Sequence, residues 1–108
     1  MRPSFHYCAM SASSLLSIAT LDAEWRVRTL LPLAMGWSEI LGRLVRDEGG
    51  WVALIQRRPD PGTPVPLPDD ILFTRALLRS LRPLDIGLAD HIIATGQERF
   101  SFRDAGLL

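Results

Sequence analysis

Between Gln56 and Asp70 the chain reads QRRPDPGTPVPLPDD, a stretch that holds five of its eight prolines. Proline has no backbone N–H and a fixed φ, so neither a helix interior nor a central strand can run through this segment. The apolar run WVALI precedes it and the helix-like ILFTRALLRSL follows it. The fold must therefore bring a buried strand to one end of a stiff loop and a helix to the other. A linker or a rigid connection would account for such a loop, and so would the scaffold of a site.

The remaining sequence limits the function classes. With 108 residues, 47% apolar and 22% charged, the chain is an ordinary globular composition of one domain with a modest core. Its formal net charge is zero, which removes the usual electrostatic footprint of a nucleic-acid binder. All 12 basic residues are Arg, and neither Lys nor Asn occurs. Both missing residues use A-rich codons, so a GC-rich bacterial genome explains the Arg content without phosphate recognition. Cys8 is the sole cysteine, so no intramolecular disulfide can form. No apolar run approaches the roughly 20 residues of a membrane span. The opening MRPSFHYCAMSASSLL is a poor signal peptide because Ser11, Ser13, Ser14 and Ser17 interrupt its apolar part. A cytoplasmic protein is expected. Translation can start at Met1 or Met10, and residues 1–14 are expected to form a flexible segment ahead of a folded unit spanning 15–108.

Leu15–Leu21 is β-leaning, and Asp22-Ala23-Glu24 breaks it. Trp25–Leu33 then alternates, with Trp25, Val27 and Thr29 on one side and Arg26 and Arg28 on the other, which predicts the second strand of a hairpin ending at Pro32. Ser38 is placed as the N-cap of a helix with Glu39 in its first turn, and Ile40, Leu41, Leu44 and Val45 form its apolar face. Gly49-Gly50 ends that helix. Trp51–Ile55 predicts a central strand buried on both faces. Pro68-Asp69-Asp70 opens a second helix with Ile71, Leu72, Leu77, Leu78 and Leu81 as its stripe, stopped by Pro83. Leu88–Ala94 is a strand, Thr95–Glu98 a turn, and Arg99–Phe102 a returning strand with Phe100 and Phe102 on one face. The order β-β-α-β-α-β-β describes an α/β domain, a mixed β-sheet with two main helices.

In this order the C-terminal third becomes recognisable. Asp90-His91-Ile92-Ile93, Gly96, Phe100-Ser101-Phe102 and Gly106-Leu107-Leu108 closely resemble the end of the RadC family, whose domain has the JAB/MPN (JAMM-like, cytidine deaminase-like) metalloprotease fold. Leu21-Asp22 followed by Arg26-Val27 is similar to the family's hairpin. The resemblance covers residues 15–108 and is strongest over 59–108. It implies a zinc site in the proline loop, with the motif His-x-His-Pro-Ser-Gly-x-Pro-x-Pro-Ser-x-x-Asp and a water completing the metal's coordination. Gly62, Pro64, Pro66 and Asp70 match that motif, while Leu67 replaces its second Ser.

The histidines do not match. Counting back from Asp70 places Arg57 and Pro59 in the two histidine positions, and a one-residue slip places Gln56 and Arg58 there instead. A guanidinium has no lone pair to offer zinc. The family's general base is an upstream glutamate, and no acidic residue precedes Asp22. The expectation is a pseudoenzyme with no catalytic residue and no cofactor, the zinc expected of the family having lost its ligands. Asp70 remains readable as a surviving ligand, Asp69 or Asp70 as a helix cap, and Arg57 or Arg58 as the ion-pair partner of Asp70 in place of the metal. His91 reads as a packed strand residue. His6 and Cys8 form a weak His-x-Cys pair, and Cys8 has no base in view for a nucleophilic role. Trp25, Trp37 and Trp51 read as packing residues ahead of a stacking platform for single-stranded nucleic acid.

The expected role is a binding or scaffold module acting on an unknown protein partner through Gln56–Asp70, with self-association left open. The competing readings are a zinc-dependent metallohydrolase and a DNA-repair-associated protein, the latter carried by the family name alone because the helix-hairpin-helix module of fuller members is absent from this sequence.

Overall fold

A computed structural model describes residues 15–47 and 50–108. The expected segment 1–14, the His6–Cys8 pair and the Met10 start lie outside the described residues. The elements run β1 (Leu15–Leu21), β2 (Val27–Pro32), a 3-10 turn (Leu33–Met35), α1 (Trp37–Asp47), β3 (Trp51–Arg57), α2 (Pro68–Leu81), a second 3-10 turn (Arg82–Leu84), β4 (Gly87–Thr95) and β5 (Glu98–Ser101). The β-β-α-β-α-β-β order holds. The five strands form one sheet in the order β2-β1-β3-β4-β5. Among the described residues only β3 and β4 pair in parallel, joined by the proline loop and α2, and the other neighbours are antiparallel. A mixed sheet carrying two helices is the α/β architecture expected of a JAB/MPN fold.

The proline-free run from Trp51 is the central strand, as its apolar continuity predicts. Alternation along it sends Val52 and Leu54 to one face and Ala53 and Ile55 to the other. The first face carries the main core, where Ile18, Leu31, Val52, Leu54 and Leu88 meet Ile40 and Leu44 of α1 and Phe73, Leu77 and Leu81 of α2. The second face is shallower and built from small side chains, Ala19, Ala53 and Ala89, beside Leu21 and Ile55. Both helices thus pack on one side of the sheet, and that side receives the strand residues that continue toward the loop.

Several local expectations are corrected. Trp25 precedes β2 instead of opening it, and its φ of 64° turns the chain in the left-handed region. The β1–β2 register shifts opposite Thr20 and Leu21, so Val27 pairs with Leu21 while Thr29 pairs with Thr20. This bulge, invisible to a period-two reading, puts Val27 and Thr29 on opposite faces. Helix α1 starts at Trp37, so Ser38 lies inside it; the Gly36 carbonyl accepts the Ile40 N–H at 3.1 Å. Val45 and Leu72 are exposed, and the second helix buries Phe73 and Thr74 where Ile71 and Leu72 were expected. Phe102 lies one residue beyond β5, buried edge-on against Phe100 at 5.9 Å. Among the described residues no helix is long and apolar enough to cross a membrane.

Candidate functional site

The end of β3 places Gln56 on the face that looks toward α2. Gln56 follows Leu54 at the strand period, and Arg58 follows Gln56. The Arg58 N–H bonds the Ala94 carbonyl at 2.9 Å, which carries the β3–β4 pairing one residue past the strand. The chain then turns sharply. A Cβ on Gly62 would stand 2.9 Å from the Pro59 carbonyl oxygen, closer than real side chains approach, so the turn requires glycine. The Thr95 hydroxyl donates to that same Pro59 carbonyl at 3.0 Å and ties the loop to β4. Pro64 is buried and Pro66 half-buried. Pro68 then occupies the first turn of α2, where its missing N–H costs nothing.

Asp70 stands in that first turn with 3% of its surface exposed. Its carboxylate collects three donors. Gln56 Nε2 donates to Oδ1 at 3.2 Å, the Leu67 N–H donates to Oδ2 at 2.7 Å, and Arg58 Nη2 forms a buried ion pair with Oδ2. The Leu67 bond is the helix-capping role expected of an aspartate here. The other guanidinium nitrogen of Arg58, Nη1, donates to the Thr63 carbonyl at 3.0 Å and the Val65 carbonyl at 2.7 Å. One side chain therefore fastens the strand end, the proline loop and the helix start together.

Of the two registers open in the sequence, Gln56 and Arg58 are the pair brought onto Asp70. Arg57 points to the other sheet face and is exposed, and Pro59 contributes only its carbonyl. Leu67 is exposed and enters the site through its backbone N–H.

Behind Asp70 lies a relay that the sequence did not announce. His91, fully buried on β4, stacks on Phe102 with ring centroids 4.1 Å apart. Its Nε2 lies 2.9 Å from Gln56 Oε1, and its Nδ1 lies 2.5 Å from Thr74 Oγ1. A carboxylate only accepts, so the Gln56 amide must turn its NH₂ to Asp70 and its oxygen to His91. His91 Nε2 consequently carries a proton, and a neutral ring accepts at Nδ1 from Thr74. Burial lowers the His91 pKa to about 4, partly countered by the charges of Asp70 and Asp90 and assisted by Arg58. Thr74 also reaches the Asp70 carbonyl at 3.1 Å, so its single proton serves two acceptors. A helical Thr can bond the carbonyl four residues back whatever residue stands there, so this contact needed only the helix to be read. The pairing of Gln56 with His91, 35 residues apart, left no signal in the sequence.

The polar groups of this centre are engaged with one another. Asp70 is the one carboxylate at the centre, and its oxygens are engaged by a guanidinium, an amide and a backbone N–H. Both nitrogens of His91 are engaged by Gln56 and Thr74. Among the described residues no group of three or more His, Cys, Asp or Glu could hold a metal ion. Zinc needs three or four such donors converging with free lone pairs.

The strand–loop–helix order and the C-terminal hairpin have a counterpart in known sequences. The family description RadC-like JAB domain matches residues 12–107. The chain belongs to this family. It is 38% identical over 66 residues to a UPF0758 protein of Neisseria meningitidis serogroup B, covering 61% of this chain and 29% of that protein. It is 30% identical over 95 residues to a UPF0758 protein of Roseiflexus castenholzii, covering 81% of this chain and 40% of that protein. This RadC-like JAB domain thus spans less than half the length of these curated relatives.

Proposed function

We propose that this RadC-like JAB domain is a non-catalytic binding module in which an internal ion pair does the structural work of a metal. The observation that carries this reading is the seating of the Arg58 guanidinium on the Asp70 carboxylate. A permanently charged cation neutralises the buried carboxylate and holds the loop carbonyls, while offering no Lewis acid and no activated water. The loop is rigid before it meets a partner, so little conformational entropy is lost on binding. Val65 and Leu67 in the loop and Leu72 in α2 stand exposed, apolar side chains that suit contact with a protein surface. The partner is a second protein or another copy of this chain, and the working compartment is the cytoplasm.

Zinc titration followed by backbone amide shifts, with a peptide-hydrolysis assay on the same sample, tests the loss of catalysis. The expected result is no shift at Gln56, Arg58 or Asp70 and no hydrolysis. Saturable shifts there together with zinc-dependent hydrolysis restore the metallohydrolase reading. Sedimentation of the wild type and a Leu67→Ser variant addresses self-association: an oligomer that Leu67→Ser dissolves places the copy-to-copy contact on the loop.

A further inference from the structure

The other end of β3 carries a second, unrelated feature. There Trp51 pairs with Gly87 across the parallel β3–β4 ladder, and a surface cavity of about 440 Å³ opens beside them. Gly50, Trp51, Arg82, Asp85, Ile86 and Gly87 line it. It is an open depression and not an enclosed pocket, so a ligand held there keeps part of its surface in water.

The lining is chemically specific. Trp51 is 39% exposed, and its indole lies over Gly87, where an added Cβ would stand 2.6 Å from the ring. Trp25 backs that indole edge-on, with centroids 5.1 Å apart, and Arg103 lies 4.9 Å over Trp25 in turn. The aromatic wall is therefore held in place. Asp85 ends the second 3-10 turn in the left-handed conformation, with φ 60° and ψ 37°. Its N–H bonds the Arg82 carbonyl at 3.0 Å, so the two residues share one turn. Their side chains nonetheless do not pair. Among the described residues the ion pairs join Arg26 to Asp22 and Glu24, Arg43 to Glu39, and Arg58 to Asp70. Arg82 and Asp85 are exposed charges of opposite sign that line one cavity and remain uncommitted.

We propose that this cavity binds a small zwitterion of the α-amino-acid type with an apolar or aromatic side chain. An anion alone meets Asp85 and a cation alone meets Arg82, whereas a ligand of both signs complements both. The Arg82 fork matches a carboxylate, and the Asp85 carboxylate accepts from an ammonium group. The Trp51 ring receives the flat or apolar side chain, gaining from burial and from offset stacking. The site stands apart from the Arg58–Asp70 centre and does not depend on how that centre is read.

The test is an NMR titration of the intact chain with L-phenylalanine, following the Trp51 indole and the Gly50 and Gly87 amides. N-acetyl-phenylalanine, which lacks the ammonium charge, and phenylalanine amide, which lacks the carboxylate, are titrated alongside. Saturable shifts are expected at Trp51 with a dissociation constant on the order of 1 mM for the free amino acid. Each derivative should bind about tenfold more weakly. Arg82→Gln should abolish discrimination against the amide, and Asp85→Asn, which tolerates the left-handed turn, discrimination against the N-acetyl form. Absence of any Trp51 shift, or equal binding of all three compounds to the wild type, overturns the proposal. So does unchanged discrimination in both variants.

Discussion

Arg58 and Asp70, twelve residues apart in sequence, form an ion pair whose side chains are 12% and 4% exposed. The pair sits where the end of β3 meets the start of α2, and Gln56 and the Leu67 N–H complete the carboxylate's shell. Removing one partner of such a pair strands a buried charge, whereas removing both together need not. Arg58→Ala is therefore expected to destabilise the domain by about 3 kcal/mol. Arg58→Met combined with Asp70→Leu should recover a large part of that loss. Urea unfolding of Arg58→Met, Asp70→Leu and the double variant measures this, and additive losses would show that the two residues act separately.

Guanidinium at low millimolar concentration should partly restore the melting temperature of Arg58→Ala, because the vacated space retains the Thr63 and Val65 carbonyls beside Asp70. The same additive should leave the wild type unchanged. Equal responses of the two proteins would mean that the side chain's charge and fork are not what the loop requires.

Arg57 is the internal control. It precedes Arg58 in the chain yet faces solvent, so Arg57→Ala should change stability by less than about 0.5 kcal/mol. Gln56→Leu, which leaves His91 and Asp70 each short of a partner, should cost about 1–3 kcal/mol. Parallel thermal and urea melts rank the two, and a reversed order would favour the other register of the loop.

His91 makes stability depend on pH. Its folded pKa is lowered from 6.5 to about 4, so between these values the unfolded chain binds more protons than the folded one. The stabilisation is present above pH 6.5 and is lost as the pH falls toward 4, on the order of 3 kcal/mol in total. Urea midpoints across this window should fall with acidification in the wild type and lose most of that slope in His91→Gln. An NMR titration that found the His91 ring charged near neutral pH would contradict the hydrogen-bond assignment of the relay.

The convergence of positions 56, 58 and 70 can also be probed by substitution. Gln56→His with Arg58→His replaces an amide and a guanidinium by two imidazoles beside the Asp70 carboxylate, a donor set that zinc accepts. The double variant should gain zinc-dependent stability that chelation removes. If elemental analysis finds no more zinc in it than in the wild type, the three side chains do not share one centre.

Most of the architecture was legible because its signals are local. The apolar run from Trp51, the prolines after it and Pro68 at the start of α2 fix where the central strand ends and the helix begins. Asp70 and the two candidate registers were visible as well, through the motif of the RadC family that the loop resembles. The choice between Arg57 and Arg58 was not, because it depends on which face of β3 meets α2, a tertiary fact. The bulge opposite Thr20 and Leu21 and the left-handed Trp25 escaped for a similar reason: a bulge shifts the side-chain period without leaving a turn residue in the sequence. His91 was read as a packed residue, and its long-range bond to Gln56 had no pattern to reveal it.

The central claim is that Arg58 stands in for a metal, and the most direct measurement is elemental analysis of tag-free protein paired with melting before and after chelation. The account predicts no stoichiometric metal and an unchanged melting temperature. About one zinc per chain, with a melting temperature that falls on chelation, would contradict it.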